Sequence, residues 1–215
     1  MVQGSGSRPV FRVIGTPSEA EENLRLIRAA MERSTRHSTL SGLSGVLAGV
    51  LALLACIVSA TWVGSPAEAA HRVPFVLLWG TTLAAASMGD ILLTKRRASR
   101  VGKTAFSPLG RQLARAVAPG LLAGAATTLL YLTHPAEIGP FLYGLWMVCY
   151  AMALLSIGML SVREVSWLGW SFLAAGAATF LLPEGAPIGP RAVMAIAFGG
   201  FHVVYGLWMG VKHGW

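Results

Sequence analysis

The chain has 215 residues, 54% hydrophobic and only 12% charged, with a mean hydropathy of +0.62. A soluble domain carries about 25% charged residues, so this composition excludes an ordinary soluble globule and points to membrane spans. The net charge of +8 suits nucleic acid in principle, but the basic residues are placed as topology signals, and no nucleic-acid partner is expected.

In chain order, residues 1–15 read as a flexible segment containing Gly and Ser. Thr16-Pro17-Ser18-Glu19 then looks like a helix start: Thr16 caps, Pro17 suits the first helical position and Glu19 completes a capping box. A helix over 16–38 follows, with Leu24, Ile27 and Met31 at helical spacing and the i,i+4 pairs Glu21–Arg25 and Glu32–Arg36. It is amphipathic and too charged to span. It is expected on the cytoplasmic membrane face or against a partner helix. With so polar a start, no cleavable signal peptide is expected.

Residues 39–211 form the transmembrane domain. Its six apolar spans fall near 40–63, 74–94, 113–133, 140–160, 165–182 and 191–211, and residues 212–215 make a tail. Each is close to the ~20 residues that cross about 30 Å of hydrocarbon, and in lipid only a helix satisfies its own backbone. The expected fold is all-α: a bundle of six transmembrane helices preceded by the amphipathic helix. Pro119-Gly120 lies inside the third span as a kink or a broken helix lining a site. Of the 17 Lys and Arg residues, only Arg72 and Arg191 fall in the second set of connections; all others lie on the side of the N-terminus, the 95–112 loop and the C-terminus. The positive-inside rule therefore puts both ends in the cytoplasm, in a bacterial inner membrane. Trp62, Trp167 and Trp215 lie near span ends, as interfacial anchors do. The basic loop with Lys95, Arg96, Arg97, Arg100 and Lys103 has a second possible use, binding anionic lipid headgroups.

Small residues bring membrane helices into contact. Gly45/Gly49, Gly120/Gly124 and Gly206/Gly210 each form GxxxG. They serve either the chain's own bundle or a homo-oligomer or larger complex. The string YGLWM occurs at Tyr143–Met147 and Tyr205–Met209, but at different depths of two spans that run the same way, which argues against a duplication. Cys56 and Cys149 read as reduced structural thiols.

Chemistry-bearing residues inside the spans are few. Asp90 and His202 lie in the same leaflet, with Tyr205 near His202, and the three form a proton-relay or pH-sensing cluster if spans two and six touch. The bland alternatives are an interfacial Asp90 paired with Lys95 or Arg96, and a packing histidine bonded to backbone. His202 could also ligate haem or chlorophyll, though neither His71 nor His134 matches its depth. No catalytic motif is present, no metal site is expected, and no cofactor is otherwise implied.

The stretches Glu22-Asn23-Leu24-Arg25, Ile27-Arg28 and Met31-Glu32-Arg33 resemble the opening of a group of six-span bacterial membrane proteins from Acidobacteria and related phyla. Ser161-Val162-Arg163, Leu168-Gly169, Phe198-Gly199-Gly200-Phe201-His202, Tyr205-Gly206 and the terminal basic-His-Gly are similar to its end. The likeness covers the two ends better than the middle, and its motifs are tied to no activity. It implies six spans and a cytoplasmic N-terminal helix. The chain departs from the group at Tyr205, where phenylalanine is expected, and in a longer loop before span two. The functional expectation is a non-enzymatic membrane component: a subunit, scaffold or sensor acting through helix contacts in lipid. A small transporter or proton-coupled channel using Asp90 and His202 is the alternative, and a pigment- or haem-binding subunit is a third.

Overall fold

The computed structural model describes residues 42–100, 108–183 and 186–213. These all belong to one unit of the chain, Arg36–Trp215. The expected flexible segment 1–15, the amphipathic helix 16–38, Lys103 and Trp215 lie outside the described residues.

Within them the chain is all-α. Helix α1 is Gly42–Val58, continued by a π-helical turn at Ser59–Val63. Its last turn closes on Gly64, whose φ of 93° only glycine adopts freely. Helix α2 is Arg72–Arg100 and α3 is Pro108–Thr133. Helix α4 runs Pro135–Gly158, with a tight 3-10 turn at Gly139–Phe141. Helix α5 is Arg163–Leu181. Helix α6 joins Pro190–Met194, a π-helical stretch Ala195–Phe201 and His202–His213 without a break.

Five of these helices, α1–α4 and α6, are long and apolar enough to cross a membrane, so the chain is a membrane protein by length and composition. The remaining one, α5, is the predicted fifth span. It has 19 residues, enough for ~28 Å at 1.5 Å per residue, but Arg163, Glu164 and its serines and tryptophans dilute its hydropathy. Two boundaries also differ from expectation. The segment holding Lys95, Arg96, Arg97 and Arg100 is not a loop but the end of α2. Lysine and arginine are good helix formers, and their charges favour a helix C-terminus. Pro119 does not break α3, which is continuous around it.

Helix α4 packs most extensively on α5 and α3, and α1 on α6 and α2. Glycines set both main seams. A methyl on Gly206 would meet the Gly42 carbonyl oxygen at 2.6 Å, and one on Gly49 would meet the Gly199 oxygen at 2.7 Å, so α1 and α6 touch backbone to backbone. Gly120 lies against Cys149 and Ala153, joining α3 to α4, while Gly169 and Gly176 join α5 to α4. Two aromatic clusters fill the core. Phe75, fully buried, meets Tyr131, Tyr143 and Trp146 from α3 and α4. Phe172 on α5 meets Tyr150 at 4.9 Å and Phe198 at 4.7 Å. Trp79 touches both clusters, through Trp146 and Phe198. Helices α2 and α3 are peripheral: 6% and 11% of their apolar windows are buried, against 39% for α1 and α4.

Candidate functional site

His202 is 6% exposed and immediately follows the π-helical stretch of α6. That stretch departs from the regular i→i−4 ladder, as π-helical turns at functional sites often do. The backbone N–H of His202 donates to the Gly199 oxygen. The Phe198 carbonyl, four residues back, faces the imidazole instead, 3.0 Å from Nδ1. A carbonyl only accepts, so Nδ1 carries the ring proton and donates it. In the neutral ring Nε2 then offers a lone pair, to which the Tyr150 hydroxyl of α4 donates at 2.9 Å. Both ring nitrogens are thereby engaged, inside walls made by Phe172, Phe198 and Tyr150.

Asp90 of α2 and Tyr205 of α6 stand beside this pair. The Asp90 carboxylate lies within coulombic reach of the hydroxyls of both Tyr150 and Tyr205. Tyr150 and Tyr205 thus each feel the Asp90 charge, and His202 is linked to it through its bond to Tyr150. Helix α1 packs against both α2 and α6, and Tyr205 lies along it at Gly45. The sequence signal for Tyr150 was weak: a hydroxyl in mid-span, which reads equally as aromatic packing until the fold sets it against His202. A half-open cavity of about 70 Å³ adjoins the pair, bordered by Ala48, Ala52, Trp79, Thr82, Tyr150 and His202.

Haem or chlorophyll does not fit here. The Nε2 lone pair is held by Tyr150, and about 70 Å³ is far less than the ~150 Å³ cavity that encloses a single benzene. Among the described residues no group of three or more His, Cys, Asp and Glu side chains gathers as a metal site.

The other predicted residues fall elsewhere. Gly45, Gly49 and Gly206, together with Gly42, Gly199 and Gly210, form the α1–α6 seam inside the chain, and Gly120 serves α3–α4, with Gly124 beside it 3.7 Å from Cys149. Lys95 and Arg96 are exposed on the end of α2. The two YGLWM copies lie at opposite ends. Each buries its methionine, Met147 at 0% and Met209 at 1% exposure. Trp146 stacks on Phe75, whereas Trp208 points outward.

Two polar groups had no sequence signal. Arg191 stands by Tyr143, whose hydroxyl lies near the guanidinium and Ser59 without an aligned hydrogen bond to either, and Arg72 lies within reach of Tyr131. At the opposite end of the bundle, Lys212 of α6 pairs with the buried Glu164 of α5. Comparison with protein families, curated proteins and solved structures gives no match to this chain. The site therefore speaks through its geometry alone.

Proposed function

We propose that the chain is a non-enzymatic component of the bacterial inner membrane, a sensor or subunit whose helix contacts answer to the protonation of His202. Its ends face the cytoplasm; the uneven distribution of Lys and Arg supports this orientation. The observation that carries the proposal is the Tyr150–His202 bond. In the neutral ring Nε2 accepts. Once protonated, Nε2 becomes a donor, and Tyr150 must turn its own proton elsewhere, with Asp90 the nearby charge that receives it. A cation would then stand among Phe172, Phe198 and Tyr150, which join α4, α5 and α6, so its arrival repacks three helices at once.

The test uses spin labels at Met159→Cys and Val211→Cys, both highly exposed sites, in a protein lacking Cys56 and Cys149. In lipid nanodiscs the label-to-label distance is expected to change on acidification from about pH 8 to about pH 3, since burial disfavours a charged imidazole, in the parent protein and to stay constant in His202→Gln. A constant distance in the parent rejects the sensor.

The proximity of Asp90 to both tyrosines also supports a second reading, a small proton-coupled transporter. Unchanged liposome flux in Asp90→Asn and His202→Ala sinks that idea. Partners, in either reading, are membrane lipid and a second copy or larger complex, which would meet the outward faces of α2 and α3 because the glycine seams are occupied within the chain. A monodisperse monomer in mild detergent that retrieves no partner counts against the complex.

A further inference from the structure

We infer that the half-open cavity beside Tyr150 and His202 is a binding site for the end of one membrane-lipid acyl chain. Ala48 and Ala52 of α1 border it on one side, Leu83 and Ala86 of α2 on the other, and Tyr150, Phe198 and His202 close it at the back. Its mouth is on the lipid side. Leu83 is 50% exposed and belongs to α2, the least buried of the five candidate spans. Ala52, deeper in, is 3% exposed. The cavity is thus continuous with the apolar surface that meets the bilayer, and a lipid chain is the molecule already standing at its entrance.

Dryness, size and depth select the occupant. Water is a poor one, because the donors that line the cavity are already engaged. The Tyr150 hydroxyl donates to His202 Nε2 and His202 Nδ1 donates to the Phe198 carbonyl. The Thr82 hydroxyl donates to the Leu78 carbonyl at 2.8 Å. The Trp79 indole nitrogen has no partner, but it is itself buried and a water in the cavity does not reach it. Such a water would find spare lone pairs and no donor, whereas enclosed waters make about three hydrogen bonds. Size excludes a ring, since the volume is about 70 Å³ and the cavity that encloses a benzene is ~150 Å³. A linear chain end fits, with the rest of the chain remaining outside in the bilayer. Depth selects the end of the chain over its middle. The lining residues lie close to the middle of α1, α2 and α6, and chains from both leaflets end near the centre of the ~30 Å hydrocarbon layer. A chain end there supplies the dispersion contacts that an empty space denies its walls, and it keeps water from the Tyr150–His202 bond. The inference concerns binding and does not depend on whether His202 titrates.

The experiment places the full chain in lipid nanodiscs that contain a phosphatidylcholine with a photoactivatable diazirine at the end of one acyl chain. Mass spectrometry then locates the adducts. Ala52 is expected to be labelled at a level comparable with Leu122, which is exposed in the middle of α3, although Ala52 itself is almost fully buried. Ala86→Leu narrows the mouth and should lower labelling at Ala52 at least tenfold while leaving Leu122 unchanged. Absence of label at Ala52 in the parent protein overturns the inference, and is the outcome if water or a second copy of the chain fills the space. Label at Ala52 that persists in Ala86→Leu overturns it too, because the reagent then arrives by another way. Should Ala86→Leu fail to fold, Ala48→Leu takes its place with the same two outcomes.

Discussion

Replacing Gly206 with alanine tests the packing that holds His202 in place. The added methyl would stand 2.6 Å from the Gly42 oxygen and 2.9 Å from the Gly45 carbonyl carbon. Carbon atoms rest comfortably at about 3.5–4.0 Å, so α1 and α6 must part by roughly 1 Å. Both obstacles are backbone, and no rotamer change relieves them. Overpacking of this kind costs about 1–3 kcal/mol, and the better helix propensity of alanine returns only about 1 kcal/mol. The net expectation is a loss of up to ~2 kcal/mol. Gly80 on α2 is the control, because nothing lies within 4 Å of its added methyl. Gly80→Ala should be neutral or stabilising by up to ~1 kcal/mol. The two substitutions are identical in chemistry, so opposite signs isolate the seam. Reversible unfolding in mixed detergent, followed by circular dichroism, reads the difference. If Gly206→Ala proves as stable as Gly80→Ala, the backbone contact of α1 with α6 is not what holds them together.

Tyr150→Phe removes the donor to Nε2 and leaves a buried acceptor unsatisfied, at a cost of about 1–3 kcal/mol; the same unfolding assay reads it, and an undiminished midpoint would mean that the bond contributes nothing. Thr128→Val strands the Trp146 indole N–H, which donates to the Thr128 hydroxyl at 3.0 Å, and a loss of about 1 kcal/mol together with a shifted tryptophan emission is expected. Orientation is checked with single cysteines in a protein lacking Cys56 and Cys149. A membrane-impermeant maleimide should label Ser65→Cys on intact bacterial cells but Ser99→Cys only after permeabilisation, and the reverse pattern would invert the topology.

Much of the fold was legible because lipid removes alternatives. A run of ~20 apolar residues leaves the backbone one economical conformation, so 40–63, 113–133 and 191–211 reappear as α1, α3 and α6 with small changes at their ends. Boundaries were less legible where helix propensity continues past the apolar run. Lys95 to Arg100 ended the hydrophobic stretch without ending the helix. The chemistry of the site was partly legible, since Asp90, His202 and Tyr205 stood out simply by being polar within spans. Tyr150 did not, because a tyrosine in a membrane helix is as much an aromatic packing residue as a hydroxyl. Glu164 was masked by its position among charged residues just outside a span, where a carboxylate ordinarily meets water.

Composition and periodicity by themselves determined the class of the protein, the number of long helices and the few polar residues worth following. These properties are local: each depends on a window of chain and the solvent it must face. Tertiary structure decided which helices are neighbours, and with that the meaning of every polar side chain. Whether a GxxxG joins two copies or two helices of one chain depends on what lies opposite, and here Gly206 lies opposite Gly42 and Gly45. Whether His202 is a ligand, a relay or a packing residue depends on its two nitrogens. The π-helical stretch before it turns one toward the Phe198 carbonyl, and the packing of α4 brings Tyr150 to the other. Contacts between distant segments arise from how side-chain shapes mesh across helices, and no window of sequence contains both sides of that fit.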